Sequence, residues 1–157
     1  MIEFEAEIIW QRSQNEPFID NLFHRSHQWQ FDGGVSVPAT ASHQIVPLPL
    51  STPEYVDPEE AFIAALSSCH MLAFLTIAAK RKYIVEKYTD EAVGMLEEDS
   101  AGKSSITKVT LRPAIQFSGP RVPSTEVLEK MHKIAHENCF IANSVKTAIT
   151  VDIIESK

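Results

Sequence analysis

The chain has 157 residues, 44% of them hydrophobic and 22% charged, with a formal net charge of -7. That length suits a single domain spanning 1–157 with a real core, and the composition is globular, neither disordered nor fibrous. The negative balance argues against a nucleic-acid partner, because phosphate binding needs a basic footprint. The opening residues, MIEFEAEIIW, show no basic start followed by an apolar core, and no apolar run reads as long enough to span a membrane. A cytoplasmic address without membrane attachment is the resulting expectation, and there the two cysteines rest as thiols.

Ile2, Phe4, Ala6, Ile8 and Trp10 alternate with Glu3, Glu5 and Glu7, the period-two pattern of a half-buried strand. A second extended stretch, Phe23 to Phe31, runs into the turn signal Asp32-Gly33-Gly34, and Val35 to Thr40 returns as a third strand. Residues 42–56, with Pro47, Pro49 and Pro53, read as a loop. Asp57 then caps a helix with Pro58 at its first position and Glu59 and Glu60 in its first turn. The helix is expected to run to about Lys82, apolar on nearly every side between Ala61 and Ala79, as a central helix is.

Beyond it, Tyr88 to Glu97, a turn around Gly102, and Ile106 to Phe117 suggest a hairpin. Pro120 and Pro123 break the chain before a second helix near Ser124 to Glu137, and Ala148 to Ile154 supplies a last strand. The order is βββ-α-ββ-α(α)-β. Runs of strands with two long helices point to an α+β fold, helices packed on antiparallel sheet.

Cys69 lies twelve residues past the presumed cap, about 18 Å along a helix at 1.5 Å per residue. A helix dipole fades within its first turn, so it does not make this thiol a thiolate, and apolar burial opposes ionisation. A reactive Cys69 therefore needs a cation brought to it; otherwise it is a small core hydrophobe. Cys139, in "HENCFIANSVK", is delivered by the second helix, so the two cysteines form a candidate pair for reversible disulfide chemistry.

"DPEEAFIAALSSCHM" resembles the Asn/Asp-Pro-Glu-x-hydrophobic-x-Ala-Ala-x-x-x-Cys helix of the OsmC/Ohr family of osmotically inducible and organic hydroperoxide resistance proteins. "CFIANSVKTAITVDI" is similar to that family's second cysteine segment, with Phe140 where the family has proline and Asn143-Ser144 in reversed order. The resemblance implies an OsmC-like fold and a stress-response thiol peroxidase, with no organic redox cofactor. By it, Cys69 matches the peroxidatic cysteine and Cys139 the resolving one, joined by an intramolecular disulfide after attack on a hydroperoxide. It also implies that Glu59 and an arginine from the N-terminal strands support the thiolate. Arg25 is the best match and Arg12 a competitor, since the loop carrying Arg25 is longer than in the family. A dithiol such as a lipoyl group would be the reductant.

Glu59 and Cys69 are ten residues apart, about 15 Å along one helix, so they cannot share a site within it. Either the helix breaks or a second chain supplies one of them, and its apolar surface favours an interwoven homodimer, which the family resemblance also implies. Phe62, Leu66, Met71, Leu72, Phe140 and Ile141 surround the cysteines in sequence and suggest an organic hydroperoxide as substrate. Two other functions stay open. His132, His136 and Cys139, with Cys69 or His70 as a fourth, are spaced to hold zinc or another transition metal. The fold could also serve as a non-catalytic small-ligand-binding module. His70 need not touch the thiol, because adjacent helix residues point some 100° apart.

Overall fold

The computed structural model describes residues 1–154. Its order is β1 (Ala6–Ile9), β2 (His27–Phe31), β3 (Ser36–Ala39), α1 (Pro58–Lys80), β4 (Ile84–Asp90), β5 (Val93–Glu98), β6 (Ser104–Leu111), β7 (Pro113–Ser118), α2 (Thr125–Glu137) and β8 (Ala148–Val151), with a short 3-10 turn over Ala142–Ser144. The fold is α+β with two long helices. Contacts gather into two compact units, 1–61 and the residues from 62 onward.

In the N-terminal unit β1, β2 and β3 form an antiparallel meander, with Trp29 facing Ile8 on one side and Val37 on the other. The strands are shorter than their alternating sequence suggests. Between β1 and β2 the chain makes an excursion bracketed by Glu16, whose carboxylate accepts hydrogen bonds from the backbone of Ser13 at 3.1 Å and of His24 at 2.7 Å. The His24 Nδ1 adds a third contact at 2.7 Å, and these donors, led by the His24 backbone N–H, hold the Glu16 carboxyl below its ordinary range.

The start of α1 follows from its sequence. The Asp57 carboxylate accepts from the Glu60 N–H at 2.8 Å, and the Glu60 carboxylate accepts from the Asp57 N–H at 3.3 Å, a reciprocal capping box. At the other end Lys82 adopts φ 64°, and Tyr83 and Lys82 donate to Ala78 and Ala79 at 3.0 Å each, closing the helix in a Schellman turn. The helix thus stops two residues before the expected Lys82. Over its most apolar 18 residues its mean hydropathy is 1.9, so by length and composition it could cross a membrane. The expectation that no run is long enough is corrected here, although a soluble core helix passes the same test.

In the second unit the expected hairpin of two strands is four. β5 pairs with β6 across the Gly102 turn, while β4 pairs with β7 in a separate two-stranded sheet. The chain changes sheet between Asp90 and Val93 and again at Arg112, and a period-two pattern carries no mark of such a change of partner. β8 joins β6 in parallel, the exception to otherwise antiparallel pairing within named strands, and Ile154 makes an isolated bridge to Ala114.

Two apolar clusters fill this unit. Phe74 and Ala78 of α1 pack with Ile115 of β7 and with Met131 and Ala135 of α2. Leu66, one helical stretch earlier, packs with Val109 and Leu111 of β6. The buried positions Leu66, His70, Phe74 and Ala78 recur every fourth residue along one stripe of α1. Ala64, Ala65, Ser68, Leu72 and Thr76, away from that stripe, are exposed.

Candidate functional site

Cys69 sits mid-way along α1, half-buried, and Cys139 lies fully buried just past the C-cap of α2 at Asn138. Both are free thiols, and they lie near enough for Cys69 to raise the proton affinity of the Cys139 thiol. Two cysteines 70 residues apart in sequence are therefore neighbours. The Ala142 N–H, in the turn that follows α2, donates to the Cys139 sulfur at 3.4 Å. Burial pushes the Cys139 thiol up to about 11, the Cys69 thiol adds to the rise, and the Ala142 N–H opposes it. Cys139 is thus a protonated partner poised beside Cys69.

Cys69 opens onto a groove of about 610 Å³ between α1 and α2, walled by Leu72, Ala73, Ile77, Ile134 and Phe140. Phe140 is 80% exposed, standing over the groove where the family's proline would be. Of the apolar residues that flank the cysteines in sequence, Leu72 and Phe140 line the groove, whereas Leu66, Phe62 and Ile141 belong to the β6 cluster. The cations lining the groove are Lys80 and Arg81, eleven and twelve residues beyond Cys69. At about 16 Å along the helix, Lys80 is more than a Debye length from the thiol.

Arg25 lies in the N-terminal unit, just ahead of β2. Its guanidinium lies 3.6 Å over the Phe23 ring, donates to the Phe23 carbonyl, and reaches the Asn21 side chain at 2.8 Å. Together with Ile8, Trp10, Phe23 and His27 it walls a hollow of about 340 Å³. Arg12 is committed elsewhere, donating to the Glu16 carbonyl at 2.8 Å. Glu59 occupies the first turn of α1, where its Oε2 is buried without a hydrogen-bond partner among the described residues. Since α1 is continuous from Pro58 to Lys80, the break that would bring Glu59 to the Cys69 of its own chain is not there.

Behind Cys69 the sequence reading missed a contact. His70 Nε2 and His132 Nδ1 share a hydrogen bond at 2.9 Å, the two rings parallel within 2°, and Phe74 stacks on His132 at 4.4 Å between centroids. Burial holds both imidazoles neutral, His70 down to about 4 and His132 down to about 3. These two residues are 62 apart, and nothing in the sequence announces their meeting. Among the described residues no three His, Cys, Asp or Glu side chains gather as a metal would need. The ligand set of His132, His136 and Cys139 fails because His132 turns into the α1 contact while Cys139 faces Cys69.

Residues 51–154 match the family model described as OsmC-like protein. The chain is 58% identical to an OsmC-like protein of unknown function from Vibrio cholerae, covering 98% of this chain and 100% of that one with a TM-score of 0.96. An organic hydroperoxide resistance protein from Elizabethkingia anophelis shares the fold at TM-score 0.70 and 18% identity, covering 100% and 97% of the two chains. The organic hydroperoxide resistance protein OhrB of Bacillus subtilis does so at TM-score 0.62 and 18% identity, over 98% of each chain. No curated protein matches this sequence.

Proposed function

Because this chain belongs to the OsmC-like protein family and brings its two cysteines close enough for one thiol to perturb the other, we propose that it is a thiol peroxidase reducing organic hydroperoxides to alcohols. The proximity of the Cys69 and Cys139 thiols carries the reading. The Cys69 thiolate attacks the distal oxygen of ROOH, the O–O bond breaks, and the alkoxide leaves as alcohol after taking a proton. Sulfur becomes a sulfenic acid, which Cys139 converts to a disulfide with loss of water. A dithiol reductant, itself oxidised to a disulfide, returns both thiols. The apolar groove beside Cys69 suits an alkyl substituent better than a fully hydrated peroxide.

The cation that Cys69 needs comes in this reading from a second copy of the chain. The exposed small-residue side of α1 gives two helices a close approach, and the unpaired Glu59 Oε2 calls for a donor. Arg25 of one protomer then faces Cys69 of its partner, with Glu59 orienting the guanidinium. We assign the protein to the cytoplasm, where dithiol reductants keep the pair cycling.

Mass spectrometry after one equivalent of cumene hydroperoxide tests the reading. The expected product is a Cys69–Cys139 disulfide, and two untouched thiols would refute the activity. Cys69→Ser should abolish turnover, whereas Cys139→Ser should stop at a sulfenate that dimedone traps. Second-order rates equal for hydrogen peroxide and cumene hydroperoxide would remove the preference for organic substrates.

A further inference from the structure

His70 and His132 take no part in the chemistry above, yet they are 1% and 3% exposed. An apolar pair would fill that position at lower desolvation cost, so what the hydrogen bond adds is direction and spacing. His70 immediately follows Cys69 on α1, and His132 lies in α2 seven residues before Cys139, which comes just after the helix ends. The pair therefore links the helix that carries Cys69 to the helix that leads into Cys139, close to the first cysteine and about two turns before the second. The parallel rings and the Phe74 stack restrict the geometry of this link.

We propose that His70 and His132 are positioning residues for the disulfide-forming step, their hydrogen bond holding α1 and α2 at the spacing that keeps Cys139 against Cys69. This rests on the peroxidase reading for its place in a catalytic cycle. In the step itself the Cys139 thiolate sulfur attacks the sulfenic sulfur of Cys69. The S–S bond forms, the S–O bond breaks, and the oxygen leaves as water with its own hydrogen and the proton Cys139 gave up. A disulfide needs its Cβ atoms about 3.5–4.5 Å apart, so a small slide of α2 on α1 removes it from reach. The attack of Cys69 on peroxide has no such requirement.

The pair is neutral at neutral pH, so its action is geometric, and acid should release it. Asp90 at the end of β4 favours a charge on His70, His136 of α2 opposes it, and burial outweighs both. Tyr88 of β4 reaches the pair through Phe74, its ring 5.7 Å away, and the neighbouring Ser67 hydroxyl is already donated to Asp90 at 2.5 Å. Protonation of both rings places like charges side by side in a site where, among the described residues, no carboxylate pairs with either ring, and the link opens.

Quench-flow mass spectrometry with cumene hydroperoxide separates the two steps, as loss of the Cys69 thiol and as appearance of the disulfide. His132→Phe keeps the stack and loses the hydrogen bond. It should oxidise Cys69 within about twofold of the unaltered protein and form the disulfide about tenfold more slowly, since ångström misplacements cost up to about 10²-fold. His132→Asn, whose amide reaches the depth of Nδ1, should recover the rate to within about threefold. His70→Gln, which reaches the depth of Nε2 but does not titrate, should keep the rate at neutral pH. It should also lose the extra fall in disulfide formation expected of the unaltered protein as pH drops toward the His70 value of about 4. A folded His132→Phe with an unchanged disulfide rate would overturn the proposal, and so would His70→Gln that retains the acid fall, even if His132→Phe does not fold. The same rates driven by diamide, a thiol oxidant that bypasses peroxide, judge the link independently. Failure with hydroperoxide but not with diamide strikes the peroxidase reading alone.

Discussion

From residue 62 onward, Leu66, Phe74, Val109, Leu111 and Met131 are all at or below 1% exposure, while Ile8, Phe18 and Phe31 of the N-terminal unit stand 60%, 47% and 40% exposed. The second unit encloses two apolar clusters between its helices and sheets, and the first is shaped by polar brackets such as Glu16 on Ser13 and His24. Apolar burial dominates the second unit, whereas hydrogen-bonded turns and the aromatic packing of Trp10, Phe18 and Phe23 shape the first. The difference explains why the thiol pair forms within the second unit, whereas Arg25, in the first, is folded over Phe23.

The comparison can be broken most severely at Phe74, where truncation to alanine should cost about 3–5 kcal/mol in denaturant unfolding. A loss below about 1 kcal/mol would mean that the cluster is not what holds the second unit. The histidine pair gives the next effect. Both imidazoles have depressed values in the folded protein, so the unfolded chain binds more protons between about 6.5 and the folded values near 4 and 3. Stability conferred by the neutral pair is complete above about pH 6.5 and falls with acid through that window, by up to about 1.4 kcal/mol per pH unit for each histidine. His132→Phe should flatten the unfolding free energy measured from pH 6.5 to 4.

Gly94 of β5 sharpens the same contrast. A methyl group there would stand 2.6 Å from Ile63 Cδ1, so Gly94→Ala should cost about 1–3 kcal/mol unless the isoleucine swings clear. In the N-terminal unit, Asp57→Ala removes half of the capping box and should cost about 1 kcal/mol, read as a shift in denaturant midpoint. A cost at Asp57 equal to that at Phe74 would erase the distinction between the units.

Helix α1 was legible almost residue by residue, because Asp57, Pro58 and Glu60 act on backbone groups within one turn of themselves. Cys69 and Cys139 were legible as candidates for the same reason that their motifs are short. The division of Tyr88 to Glu97 between two sheets was not legible, since β4 and β5 read alike and differ in the strand each meets. The spacing of His132 and His136 suggested a shared helical face for a metal, and the fold spent His132 on His70 instead.

By itself the sequence determined what local forces determine: the caps, the turn at Gly102, the apolar character of α1, and a thiol placed too deep in a helix for its dipole to ionise. Tertiary structure alone decided which side chains meet across 62 or 70 residues, the imidazole of His132 with that of His70 and the thiol of Cys139 with that of Cys69. The reason is physical. Hydrogen bonds within a turn act over a few residues of chain, whereas α2 is brought to α1 by the packing of Phe74, Ala78, Met131 and Ala135 into one cluster, inside which a bond between distant side chains can then form.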